Sequence, residues 1–113
     1  MASEKNSAAG NTSMLLLQLL SERDMYGYEM IETLGKRSEN LFELKAGTLY
    51  PLLHTLESQN FLVSYEAEVM GKMRKYYGIT KEGRKALEKK KKEWQSYTKA
   101  ITQVLGGELC GAE

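Results

Sequence analysis

Positive charge in this sequence is concentrated in one segment. Between Lys72 and Lys92 there are ten lysine or arginine residues but only two acidic ones, Glu82 and Glu88, which gives this segment a charge of +8. The rest of the chain carries −7, so the formal net charge of +1 hides a strong asymmetry. Such an asymmetry is typical of a surface that meets a polyanion, although a lysine-rich helix face is also often only solvated. The chemistry that it indicates is binding to phosphate groups.

A second group of polar side chains shares a predicted helix with four leucines. The leucines follow the i, i+3, i+4, i+7 spacing of one helical face, so the remaining residues form the opposite face. The leucines are Leu49, Leu52, Leu53 and Leu56, and the opposite face carries Thr48, Tyr50, Pro51, His54, Thr55 and Ser58. Hydroxyl and imidazole groups hydrogen-bond phosphates or base edges, and threonine or proline carbons contact the thymine methyl group. This helix therefore has the side chains needed to read a DNA groove.

Residues for metal binding or nucleophilic catalysis are scarce. Cysteine and histidine occur once each, as Cys110 and His54, which excludes an intramolecular disulfide and argues against a tetrahedral zinc site. Cys110 lies in a glycine-rich tail, which is not the setting of a reactive thiol. The sequence has no glycine-rich phosphate loop and no paired acid and base. We therefore expect no enzymatic activity, no metal and no cofactor.

Size and composition indicate one globular domain. The chain has 113 residues, of which 42% are hydrophobic and 27% charged. A chain this short leaves apolar surface uncovered, so we expect an oligomer. The longest apolar stretch, residues 14–20, is interrupted by Gln18 and is much shorter than the roughly 20 residues of a membrane span. With no convincing secretory signal either, we expect a cytoplasmic protein that has no contact with a membrane.

The elements that position these side chains begin with three short helices. The first is predicted over residues 14–22, capped by Thr12 or Ser13, after a flexible polar arm over residues 1–12. The second is predicted over residues 26–37. Close packing of the second helix is permitted by Gly27, because glycine has no side chain.

The third helix is predicted over residues 47–59. If Gly47 is its cap, Pro51 falls in the first turn, where the missing N–H of proline costs little.

A β-hairpin is predicted after the third helix. Residues 63–69 alternate between apolar and polar side chains, which is the period of a strand. A turn over residues 70–73 leads to a returning strand over residues 74–79. In that strand Tyr77 lies on the apolar face and is expected to be a core ring, whereas Arg74 and Tyr76 lie on the other face.

The last segment is predicted to be one long helix, capped by Thr80 and ended by Gly106 and Gly107. Residues with heptad spacing form an apolar seam along it, interrupted by Lys90. The lysine run 89–92 wraps around the helix, so we expect it to be solvated. Because the seam has no obvious partner within the chain, we predict that it forms a dimer interface together with the first helix. The interface residues are Leu15, Leu16, Leu19, Leu87, Trp94, Tyr97, Ile101 and Val104.

This order of elements predicts a mainly α-helical fold with a small β-hairpin, namely a winged helix-turn-helix followed by a long dimerisation helix. The DNA-binding domain, with three helices plus a two-stranded wing, is expected over residues 13–80. The C-terminal helix then covers residues 81–106, and residues 107–113 form a tail. The third helix would enter the major groove, while the wing would lay basic side chains along the backbone or in the minor groove. These wing residues are Lys72, Arg74 and Lys75.

Three runs of residues carry a resemblance to a known family. They are Asp24-Met25-Tyr26-Gly27-Tyr28-Glu29, Gly47-Thr48-Leu49-Tyr50-Pro51-Leu52-Leu53-His54 and Arg74-Lys75-Tyr76-Tyr77, accompanied by Leu56-Glu57, Thr80 and Gly83. Over about residues 13–105 the chain closely resembles the PadR family of bacterial winged-helix transcriptional regulators. The single C-terminal helix is similar to that of the short subfamily, in which this helix carries dimerisation.

The resemblance implies a homodimeric repressor that binds a pseudo-palindromic double-stranded operator. It also implies that DNA is contacted from the start of the second helix, the exposed face of the third helix and the wing. The expected contacts are Tyr26, Lys45, Thr48, Tyr50, Pro51, His54, Thr55, Lys72, Arg74, Lys75 and Tyr76.

The resemblance gives Trp94 two alternative roles. In multidrug-sensing members of the short subfamily, a tryptophan at the corresponding place meets its symmetry mate and sandwiches flat aromatic ligands. Trp94 would then be a ligand-binding residue for such an effector. The alternative is that Trp94 is an ordinary core residue of the dimer, since its position in the seam serves either use.

Three classes of function are considered, and the third, an enzyme, is the one for which the sequence offers no supporting motif. The first is a sequence-specific repressor that reads two half-sites about one helical turn apart. The second is a winged helix that makes protein contacts only, for which no salt-sensitive DNA affinity is expected despite the basic segment.

Overall fold

The structure is a computed structural model that describes residues 2–106, with side chains from Gly10 onward. Within this range it has four helices and a three-stranded antiparallel sheet. In chain order the elements are α1 (Ala2–Glu22), β1 (Met25–Tyr26), α2 (Gly27–Arg37), α3 (Ala46–Ser58), β2 (Leu62–Val69), β3 (Lys72–Ile79) and α4 (Lys81–Val104). This architecture confirms the predicted winged helix-turn-helix with a long final helix. Across the described residues, no helix is both long enough and apolar enough to cross a membrane.

The first helix is longer than the sequence analysis predicts. It begins at Ala2, so residues 2–12 are helical where an arm was expected, and the cap predicted at Thr12 or Ser13 is wrong because both residues lie inside the helix. The polar composition of this segment suggested an arm, but alanine, glutamate and lysine are also good helix formers. Ser13 lies inside the helix and is buried.

The core of the protein is built around α1. Leucines on several sides of α1 are buried by α2, β3 and α4 of the same chain. The predicted interface residues Leu16, Leu19 and Leu87 are at most 4% exposed, so they are core residues of the protomer and leave no surface for a second subunit. Leu15 is partly buried against the same core. The apolar residues around α1 therefore reflect burial within one chain.

α2 and α3 form the helix-turn-helix pair. α2 begins at Gly27, one residue later than predicted, because Tyr26 is its N-cap. The backbone N–H of Tyr26 donates to the Glu29 carboxylate at 3.1 Å. α3 begins at Ala46, because its N-cap is Lys45 and not Gly47. Pro51 is consequently beyond the first turn, which corrects the prediction, and α3 forgoes the hydrogen bond that a residue 51 N–H would make.

The hairpin has a tighter turn than predicted. Met70 and Gly71 alone form the turn, with φ values of 54° and 82°, the left-handed conformation that two-residue hairpin turns require. Lys72 belongs to β3 and pairs with Val69, so the predicted four-residue turn over 70–73 is wrong. A third strand, β1, pairs with β3 through Tyr26 and Tyr76 and was not predicted, because two residues carry no detectable alternation.

α4 divides into two halves with different surroundings. The Thr80 hydroxyl accepts the Gly83 N–H at 2.9 Å, which confirms the predicted cap. The first half packs on α1, and Arg84 donates to the Ser21 carbonyl at 3.4 Å. The second half has no buried residue. The first part of the predicted seam is therefore a contact within the chain. The tail predicted over residues 107–113 lies outside the described residues.

Candidate nucleic-acid interface

The outer face of α3 is a row of exposed polar side chains. The leucines of α3 are buried or partly buried, so the helix is held with its other face in solvent. The exposed residues are Lys45 at the N-cap, then Thr48, Tyr50, Pro51, His54, Thr55 and Ser58. The Thr55 hydroxyl donates to the Pro51 carbonyl at 3.1 Å, which leaves its methyl group and oxygen lone pairs for a ligand. This face presents mixed hydrogen-bonding and apolar groups of a kind that can read base edges.

Tyr50 joins the two helices of the helix-turn-helix. A Cβ atom built on Gly27 would overlap the Tyr50 hydroxyl and lie 2.8 Å from the ring atom that carries it. The absence of a side chain at Gly27, at the start of α2, is thus what allows the Tyr50 ring to lie there. Tyr50 remains 40% exposed, so its ring is held by α2 and still reaches solvent.

The wing is attached to α3 at its base. The Ser64 hydroxyl on β2 donates to the Glu57 carboxylate on α3 at 2.7 Å. Ser64 pairs with Tyr77, which is buried as predicted, and burial raises the pKa of the Tyr77 hydroxyl. These contacts define one face of the hairpin as the face toward α3.

The three basic wing residues lie on two faces of the hairpin. The ammonium of Lys75 lies 5.7 Å from the centre of the Tyr77 ring, on the face toward α3. Arg74 and Lys72 lie on the opposite face, because side chains alternate along a strand. Lys72 and Lys75 are exposed, whereas Arg74 is partly buried. The structure therefore brings Lys75 to the side of α3 and separates Arg74 and Lys72 from it.

Arg74 lies on a cluster of tyrosines. Its guanidinium carbon is 4.3 Å from the centre of the Tyr26 ring. Tyr26 meets Tyr76 edge to face at 5.4 Å, and Tyr76 stacks on Tyr65 at 5.8 Å. The Tyr65 hydroxyl donates to the Asp24 carboxylate at 2.5 Å. The sequence analysis assigned no site role to Tyr65 or Asp24, and only the tertiary structure reveals the contact between them.

A further basic surface lies on the outer side of α4. It carries Lys81, Arg84, Lys85, Lys89 and Lys92, together with Glu88. Lys91 instead points to α1, where it donates to the Gln18 amide oxygen at 3.4 Å. The lysine run 89–92 therefore wraps around the helix as predicted, and its members have different surroundings.

The second half of α4 presents an exposed apolar stripe. Its members are Trp94, Tyr97, Ile101 and Val104, and their exposure ranges from 39% to 85%. The rings of Trp94 and Tyr97 lie 6.0 Å apart with a tilt of 37°. Two large rings and two aliphatic side chains in one row are unusual on a surface that meets only water.

Among the described residues, no group of three or more histidine, cysteine, aspartate or glutamate side chains is placed to hold a metal ion.

These features define a class of protein. A helix-turn-helix pair with an exposed polar helix, fixed beside a hairpin that carries cations on both faces, is the construction of a winged-helix DNA-binding regulator. Comparison with known proteins places the chain more narrowly. The transcriptional regulator PadR-like family matches residues 16–89. The chain belongs to this family.

Solved structures and a curated relative agree with this placement. A transcriptional regulator from Clostridium thermocellum, Cth-833, has a TM-score of 0.78 and 36% identity, covering 83% of this chain and 92% of that chain. A PadR family transcription regulator from Clostridium difficile R20291 has a TM-score of 0.72 and 40% identity, covering 83% and 97%. The transcriptional regulator Rv3488 of Mycobacterium tuberculosis is 30% identical over 93 residues, which are 82% of this chain and 81% of that protein.

Proposed function

We propose that this DNA-binding regulator is a homodimeric repressor that recognises a pseudo-palindromic operator and occludes a promoter. The observation that carries the proposal is the exposed polar face of α3, accompanied by Lys75 on the face of the wing that is toward α3. Thr48, Tyr50 and His54 supply hydrogen-bonding groups for base edges or phosphates, and Pro51 and Thr55 supply carbons for a thymine methyl group. Lys72 and Lys75 add contacts to the phosphate backbone.

Dimerisation is supported by the second half of α4. This half has no buried residue in the single chain, yet it carries the apolar stripe of Trp94, Tyr97, Ile101 and Val104. Pairing of two such stripes covers the apolar surface and places two α3 helices on one duplex. A two-fold symmetric dimer then reads two half-sites about one helical turn apart.

Release from DNA by a flat aromatic ligand is the second part of the proposal. Trp94 is 40% exposed and has Tyr97 beside it, so a second copy of the stripe would create a site with aromatic walls. A ligand there releases DNA only if it binds one dimer geometry better than the other, because equal affinity shifts no equilibrium. The competing role for Trp94 is dimer core.

The experiment that tests the proposal is a fluorescence anisotropy titration at two salt concentrations. The protein is titrated into the duplex upstream of its own gene and into a scrambled duplex of equal length. Preferential and salt-sensitive binding to the upstream duplex is the expected result for an autoregulating repressor. Equal, weak binding to both duplexes would place the operator elsewhere. Absence of binding to either would favour a winged helix that makes protein contacts only.

A His54→Ala variant provides the test of direct readout. His54 is exposed on α3, so its removal is expected to leave the fold intact. Loss of affinity for the operator with unchanged affinity for the scrambled duplex would support a base contact. An equal loss on both duplexes would assign His54 to the phosphate backbone.

A further inference from the structure

Tyr26 has surroundings that do not fit a simple contact with DNA. It is the N-cap of α2 and also a residue of β1, paired with Tyr76 on β3. Its side chain is partly buried, with the guanidinium of Arg74 at 4.3 Å from the ring centre and the Tyr76 ring at 5.4 Å. The ring therefore lies between the helix-turn-helix and the wing.

The cluster continues beyond Tyr76. Tyr76 stacks on Tyr65 with the ring planes 16° apart, and Tyr65 donates its hydroxyl to Asp24. This hydrogen bond raises the pKa of Tyr65. Asp24 immediately precedes β1, so the row of side chains returns to the backbone next to Tyr26. The Tyr26 ring is thus in contact with Arg74 and with Tyr76, and Tyr76 is in turn supported by Tyr65.

An arginine on an isolated hairpin would sample many rotamers, and ordering it on a ligand would cost conformational entropy. A guanidinium over a tyrosine face is attracted by the negative potential of the ring. Because Tyr26 is also the cap of α2, this attraction gives Arg74 a defined position relative to the helix-turn-helix and not only relative to the wing.

We propose that Tyr26 is a positioning residue, whose ring, supported by Tyr76, Tyr65 and Asp24, holds the Arg74 guanidinium in place for a DNA phosphate. This inference rests on the proposed function, since it requires the wing to meet DNA. It differs from the role that the family resemblance implies for Tyr26, which is a direct contact. In the proposed role the ring of Tyr26 matters and its hydroxyl does not.

The test compares Tyr26→Leu with Tyr26→Phe, because leucine removes the aromatic face and phenylalanine removes only the hydroxyl. Each is combined with Arg74→Ala, and affinity and salt slope are measured by anisotropy on the scrambled duplex. Tyr26→Leu is expected to weaken binding about as much as Arg74→Ala, roughly three- to tenfold, and to lower the salt slope by about one. The variant that combines Tyr26→Leu with Arg74→Ala is expected to lose little more affinity than either single variant. Tyr26→Phe is expected to retain most of the wild-type affinity.

Two outcomes would overturn the positioning role. If Tyr26→Phe loses as much affinity as Tyr26→Leu, the hydroxyl contacts DNA directly. If the losses from Tyr26→Leu and Arg74→Ala simply add, the two residues act independently. A purely structural effect would reduce the active fraction without changing the salt slope, and it would also count against the proposal.

A gentler variant guards against misfolding of Tyr26→Leu. Tyr65→Phe keeps the stacked rings of Tyr65 and Tyr76 and removes only the hydrogen bond to Asp24. A loss of DNA affinity smaller than that of Tyr26→Leu is therefore expected. Unchanged affinity would show that Tyr65 and Asp24 do not support the position of Tyr26. Wild-type protein that binds no duplex at all would refute the proposed function itself. That result is distinguishable from binding without coupling between Tyr26 and Arg74.

Discussion

Replacing Gly27 by alanine tests how the helix-turn-helix places a residue for DNA. The added Cβ would overlap the Tyr50 hydroxyl, so the Tyr50 ring must move. Because the obstacle is the end of a side chain that is already 40% exposed, we expect the ring to rotate toward solvent and the backbone to stay in place. The substitution should therefore displace a predicted DNA contact, Tyr50, without replacing any of the residues predicted to contact DNA.

The magnitude follows from the area that Tyr50 gives up. If the ring loses about 50–100 Å² of apolar contact, the cost is about 1–2.5 kcal/mol at about 25 cal/mol per Å². The helix preference for alanine over glycine offsets less than about 1 kcal/mol, since Gly27 is the first residue of α2. A net destabilisation of about 1 kcal/mol is expected, with a loss of operator affinity of about tenfold if Tyr50 makes one specific contact.

Gly35→Ala is the matched control, because Gly35 lies inside the same helix. A Cβ there would meet the Asn40 side-chain oxygen at 3.5 Å, which is ordinary contact. Urea unfolding should show a gain of up to about 1 kcal/mol for Gly35→Ala, and anisotropy should show unchanged affinity.

The reasoning is refuted if Gly27→Ala binds the operator as well as Gly35→Ala does. Tyr50→Ala locates the error in that case. If Tyr50→Ala weakens binding while Gly27→Ala does not, the ring keeps its place despite the added methyl group. If neither weakens binding, Tyr50 does not contact DNA.

Three further predictions concern the wing, the stripe and the start of α4. Lys72→Ala should weaken binding to every duplex and lower the salt slope of the affinity by about one. The control is Lys99→Ala, which removes an exposed lysine in the second half of α4 and should leave the slope unchanged. Equal slopes for the two variants would show that Lys72 is not in the DNA interface. Trp94→Ala should abolish release of the protein from DNA by a flat aromatic ligand, while sedimentation still shows a dimer. Loss of the dimer would instead assign Trp94 to the core of the dimer interface. Gly83→Ala should lower the free energy of unfolding, measured in urea, by about 1–3 kcal/mol, because the added Cβ would overlap the Phe61 backbone carbonyl. A gain in stability would contradict this expected overlap.

Local patterns in the sequence were sufficient for most elements. The leucine spacing of α3 predicted which face is buried, and the alternation before Val69 predicted the first strand of the hairpin. Thr80 was correctly predicted as the cap of α4. These features depend on residues within one or two turns, so periodicity and capping chemistry reveal them directly.

Boundaries without a strong local signal were predicted less well. The start of α1 was missed because small polar residues fit both an arm and a helix. The predicted start of α3 is one residue or more too late, because glycine is a preferred N-cap residue and lysine, which caps α3, is not. The predicted turn is two residues too long, because methionine does not ordinarily adopt the left-handed conformation that Met70 has in the turn.

The sequence by itself determined the order of the four helices and the hairpin, the polar face of α3 and the basic character of the wing. Only the tertiary structure decided which surfaces meet. In the structure Leu87 is buried where α4 packs on α1, and the Tyr50 ring lies against Gly27. The pairing of β1 with β3 places the Tyr26 ring next to the Arg74 guanidinium. The physical reason is that periodicity states which face of an element is apolar or charged, whereas the partner of that face lies far along the chain and is selected by packing.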